Sequence, residues 1–95
     1  MKAFIFVFDN SITQRQTVLD FLDTRLEVLN WYALFPNMII IISETDASTL
    51  QALIRGVFPT IFFVVSQIIP GLNDGWLPKA AWDFINNPKS SGRWI

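Results

Sequence analysis

An α+β fold follows from three features of this 95-residue chain: apolar runs of strand length (AFIFVF, MIIII, TIFFVV), apolar residues at helical spacing between them, and polar, Pro or Gly punctuation at each junction. The length is that of one domain. No internal repeat or low-complexity segment interrupts it.

Ala3 to Phe8 reads as the first strand. Ser11 or Thr13 opens a helix, each followed three residues later by a glutamine, Gln14 or Gln16, in the pattern of a capping box. Val18, Leu19, Leu22 and Leu26 keep helical spacing, with Phe21 on the flank. From Val28, VLNWYALF makes a second strand that breaks at Pro36 and Asn37, and MIIIIS returns as the third, so the two form a hairpin. Asp46 or Ser48 caps a second helix whose apolar face holds Ala47, Leu50, Leu53, Ile54 and Val57, and Gly56 with Pro59 ends it. Thr60 to Val65 is the fourth strand. Strand, helix, strand, strand, helix, strand is the order of a ferredoxin-like βαββαβ core, here residues 1–66, with both helices on one face of a four-stranded antiparallel sheet. Residues 67–95 form a C-terminal extension containing a short helix in GWLPKAAWDFINNPK. Pro78 suits its first turn, and Trp82 and Ile85 share its packing face. The extension is expected to pack on the core or on a dimer partner, with a loose tail from about Pro88.

A sheet covered on one side alternates apolar and polar residues, and this one does not. Ala3, Ile5 and Val7 share one face of the first strand, and Phe4, Phe6 and Phe8 the other, which the helix-on-one-face arrangement leaves open. The chain is 52% hydrophobic and 16% charged, against a usual charged fraction of about 25%. A second copy of the chain, the extension, or both must cover the exposed rings. The expectation is a symmetric homodimer with Phe4, Phe6, Phe8, Trp31, Trp76 and Trp82 on the dimer or partner surface. The alternative is that Trp76, Trp82 and Phe84 cover the face within one chain.

Cysteine and histidine are both absent, which removes thiol chemistry, thiolate metal sites and the commonest general base. A net charge of −1 with scattered Lys and Arg is no footprint for duplex DNA. Each apolar run is far shorter than the roughly 18 residues of a membrane helix, so no membrane partner is expected. MKAFIFVF imitates a secretory signal, but Asp9 ends the run early and no small-residue cleavage site follows, so the expected location is cytoplasmic.

FDNSITQR, an apolar strand ending in Asp with Arg six residues later opening a leucine-rich helix, resembles the small CRISPR adaptation protein that forms the central dimer of the spacer integration complex. It is also similar to virulence-associated protein D, and GWLPKAAWDFI resembles the SinR-like proteins grouped with that superfamily. In superfamily members that act as nucleases, the aspartate ending the first strand is implicated in divalent metal binding across the dimer. The resemblance thus implies a catalytic and metal-binding role for Asp9. Such a metal-dependent, toxin-like ribonuclease would use magnesium or manganese held by Asp9 of each protomer, with Asn10, Ser11 and Arg15 contacting substrate. Read from the residues alone, Asp9 instead accepts hydrogen bonds from following amides and pairs with Arg15 to order a turn.

In the expected topology Asp9, Asn10, Ser11, Arg15, Asn37 and Thr60 gather at one end, while Glu44 and Asp46 sit at the other, so each chain offers one carboxylate there. Trp31 and Tyr32 suit base stacking or, as aromatics along an edge strand, core and dimer contacts. The leading expectation is a non-catalytic homodimeric module, needing no cofactor, that binds a protein or protein and nucleic-acid partner in a bacterial or phage defence system. The ribonuclease is the alternative, and a ligand-binding regulatory domain a third.

Overall fold

The computed structural model describes residues 1–93. Along the chain run β1 (Lys2–Phe8), α1 (Arg15–Leu22), β2 (Asn30–Phe35), β3 (Met38–Ser43), α2 (Ala47–Val57), β4 (Phe63–Ile68) and α3 (Lys79–Asn86). The strands form one antiparallel sheet in the order β2-β3-β1-β4. This small α+β architecture is consistent with a ferredoxin-like fold.

The sheet is covered on both faces. On one, Phe4, Phe6 and Phe8 of β1 and Ile39 and Ile41 of β3 pack with Val18, Leu19 and Leu22 of α1 and Leu50 and Ile54 of α2. On the other, Ala3, Ile40, Ile42 and Ile68 pack with Ile85 of α3, flanked by Tyr32, Trp82 and Phe84. Antiparallel register makes the division: Phe4 lies opposite Ile41 and Phe6 opposite Ile39, whereas Ala3 lies opposite Ile42 and Ile5 opposite Ile40.

The three phenylalanines are therefore not on an open face. They are 0%, 1% and 2% exposed, beneath α1 and α2, and Phe6 meets Phe63 edge-on at 5.6 Å between ring centres. Two short helices leave a broad space above the sheet that large rings fill. The smaller side chains of Ala3, Ile5 and Val7 face the side that a single helix covers.

Several boundaries also differ from the sequence reading. α1 begins at Arg15 rather than Ser11 or Thr13, and its N-cap, Gln14, makes no side-chain capping bond. Asp9 claims that stretch first: its carboxylate accepts from the Ser11 amide at 3.0 Å and holds residues 10–13 in a turn. α1 ends at Leu22, which leaves Leu26 exposed. β2 starts at Asn30 rather than Val28. β4 spans Phe63–Ile68 rather than Thr60 to Val65: a turn closed by the Ile61 amide on the Phe58 carbonyl uses up the preceding residues, and pairing with β1 carries the strand on to Ile68 opposite Ala3.

Asp46 caps α2 as its sequence suggests, accepting from the Thr49 amide at 2.8 Å. After β4 the chain turns through Ile69-Pro70-Gly71-Leu72, where the Leu72 amide donates to Ile69 and Gly71 adopts φ +82, the type II geometry that glycine accepts. α3 follows with Pro78 as its N-cap. Beyond it the chain runs beside β2: the Ser91 amide donates to Leu29 at 2.8 Å, and Asn30 donates to the Lys89 carbonyl at 3.0 Å. Arg93 reaches the Asp23 carboxylate at 3.1 Å and the Val28 carbonyl at 2.7 Å. Through Arg93, then, the expected loose tail is tied down. Its last two residues, Trp94 and Ile95, lie outside the described residues.

Candidate functional site

Antiparallel pairing brings the end of β1 to the β2-β3 turn and to the residue before β4. The Phe8 amide donates to Asn37 and the Asp9 amide to Phe62, both at 3.0 Å. Asp9, Asn10 and Ser11 are exposed at this end. The Ser11 hydroxyl first, and then its amide, hold the Asp9 carboxyl below its ordinary value of 3.8. Arg15 does not pair with Asp9: its guanidinium donates to the Phe35 carbonyl at 3.1 Å, pinning the start of α1 to the end of β2.

Glu44 and Asp46 lie at the opposite end. The Glu44 carboxylate pairs with the N-terminal amine at 2.9 Å, and Lys2 donates to the Thr45 carbonyl at 3.1 Å. Among the described residues no three of His, Cys, Asp or Glu cluster as metal ligands. Asp9 is a solvent-exposed carboxylate that accepts from the Ser11 amide.

The aromatic residues assigned to a partner surface divide. Trp31 is half-buried on the two-helix side, and its indole N–H donates to Asp23 at 2.8 Å. Trp82 packs against the cluster beneath α3. Trp76 is 99% exposed in the loop before α3. Face coverage within one chain therefore falls to Ile85, Trp82 and Phe84 rather than to Trp76.

Other exposed apolar residues escaped the sequence reading. Phe62 is 86% exposed, and Val64, Ile69 and Leu72 also face solvent. The signal was present in TIFFVVSQIIPGLN, which is apolar on both alternations and carries no charge. A groove of about 450 Å³ runs beside it, between Gln51 and Arg55 of α2 and the β4 residues Phe63 and Val65. A smaller apolar cavity of about 170 Å³, lined by Ile5, Met38, Ile68, Leu77, Trp82 and Ile85, lies under α3. It is below the roughly 300 Å³ at which small-molecule pockets begin.

Fold and surface together define a small α+β domain with helices on both sheet faces and an apolar rim along one edge. Comparison with protein-family models, curated proteins and solved structures finds no match to this chain. No helix among the described residues is long and apolar enough to cross a membrane.

Proposed function

We propose that the chain is a non-catalytic, homodimeric ferredoxin-like module that binds a protein, or a protein and nucleic-acid assembly, in a bacterial or phage defence system. The exposed apolar rim of Phe62, Val64, Ile69, Leu72 and Trp76 carries this reading. Rims of this kind belong to interaction surfaces rather than to solitary domains. The defence setting and a cytoplasmic location rest on the sequence reading and on the resemblance of FDNSITQR and GWLPKAAWDFI.

The competing reading is a ribonuclease in which Asp9 of each protomer holds magnesium or manganese. An ionised, solvent-facing Asp9 favours it. Asn10 and Ser11 are its available substrate contacts, whereas Arg15 is engaged with Phe35. Labelled RNA, single-stranded DNA and duplex DNA incubated with wild type and Asp9→Asn, with either metal or chelator, separate the two. The module predicts no cleavage by either protein. Cleavage that both chelator and Asp9→Asn abolish would establish the ribonuclease instead.

A further inference from the structure

The two edges of the sheet are unlike. The β2 edge is occupied only at its start, where the chain from Lys89 to Ser91 makes the bonds to Asn30 and Leu29 described above. Its pairing with β3 is also irregular between Ala33 and Phe35. On the other edge β4 pairs with β1 in unbroken register from Phe63 opposite Phe8 to Ile68 opposite Ala3, and no described strand lies on its far side. That edge has none of the usual protection: no charged side chain, no bulge and no proline within it.

We infer that β4 is the dimer contact, pairing antiparallel with β4 of a second copy to make one continuous eight-stranded sheet. This deepens the homodimer reading and rests on it. A second copy is the occupant that the chemistry favours. A two-fold contact sets the same short stretch against itself, so any charge there meets its own like. From Val57 to Asn73 the chain carries no charged residue at all. The flanks suit it as well. Phe62 and Val64 are exposed on the α3 side of the edge, and the groove between α2 and β4 lies on the other. An added strand therefore meets apolar side chains on the α3 side, and on the other a groove whose β4 wall, Phe63 and Val65, is apolar and whose α2 wall carries Gln51 and Arg55.

This geometry bears on Asp9. Its amide is bonded to Phe62, one strand inward and at the end of β4. With strands about 4.8 Å apart and about 3.4 Å per residue, a two-fold axis through the middle of β4 separates the two Asp9 residues by roughly 28 Å. One metal cannot bridge them in this dimer.

Light scattering at tens of micromolar on wild type, Val64→Lys and Ser66→Lys tests the contact. Both positions are exposed in the single chain, so the fold tolerates lysine there, and circular dichroism checks it. The native chain has no cysteine, so single replacements at Val64, Val65, Ser66 and Gln67 report proximity by oxidation, with Ala52→Cys on the exposed face of α2 as control. The expected result is a dimeric wild type, monomeric lysine variants, and disulfide dimers from one or two adjacent β4 positions well above the control. A dimeric wild type whose lysine variants stay dimeric, with no β4 cysteine exceeding the control, overturns the β4 contact and leaves the homodimer standing. A monomeric wild type overturns both.

Discussion

Asp46 and Asp9 each keep a carboxyl below the ordinary 3.8 by accepting hydrogen bonds from residues just downstream: the Thr49 amide foremost for Asp46, the Ser11 hydroxyl foremost for Asp9. Each binds its proton more weakly in the folded chain than in the unfolded one. The stability this lends is therefore complete above the ordinary carboxylate range and is lost as the pH falls through the folded value. Asp46→Asn keeps an oxygen for the Thr49 amide but cannot titrate. Thermal melts should place it close to wild type at neutral pH, with the remaining gap closing below about pH 4. Asp46→Ala should melt lower at neutral pH. Ser43 is a buried polar residue of a different kind: its hydroxyl donates to the Glu27 carbonyl at 2.6 Å and accepts from the Thr45 amide at 3.1 Å. Ser43→Ala strands both partners and should cost roughly 1–3 kcal/mol in denaturant unfolding.

Among the elements, α3 turns a two-layer sheet into a three-layer domain. Ile85 sits with Ile40, Ile42 and Ile68, and Ala81 is fully buried on the same helix. Ile85→Asp removes that packing and places a carboxylate against the sheet. The expected loss is at least about 2–5 kcal/mol, the range for deleting a buried isoleucine. Undocking α3 would uncover the isoleucines of β3, so the variant should bind a hydrophobic dye that wild type does not, while far-ultraviolet dichroism still reports the sheet. The same element exposed the weakness of reading β1 by alternation. Both faces of β1 are apolar, so a period of two separates the phenylalanines from Ala3, Ile5 and Val7 without saying which set lies under two helices. The side-chain volumes decide that only once all three helices are in place.

For the whole molecule, the apolar excess in the composition is real but is distributed otherwise than the sequence suggested. Most of it lies inside, on two sheet faces rather than one, and the Cα radius of gyration of 12.6 Å is that of a compact single domain, near the roughly 12.4 Å expected at this length. Of what remains outside, Phe62, Val64, Ile69 and Leu72 lie along β4 and the following loop, which is why the proposed dimer uses an edge and not the phenylalanine face. A salt titration offers an inexpensive check: a contact whose paired strands carry no charge should largely hold its dimer from about 0.05 to 1 M salt, whereas a contact built on ion pairs weakens across that range.

The order of strands and helices, the Pro36-Asn37 hairpin, the Asp46 cap and the helix starting after Pro78 were legible in the sequence because each depends on residues a few positions apart. The start of α1 was not, since two local signals competed and the Asp9 turn prevailed over the Ser11 and Thr13 capping patterns. Three features needed the tertiary structure: which face of β1 is innermost, that Arg15 serves Phe35 rather than Asp9, and that the chain end bonds to the start of β2 while no described strand lies beyond β4. Each depends on contacts between separate elements, which local patterns do not encode. Their positions follow from how the helices and the chain end fill the space around the sheet.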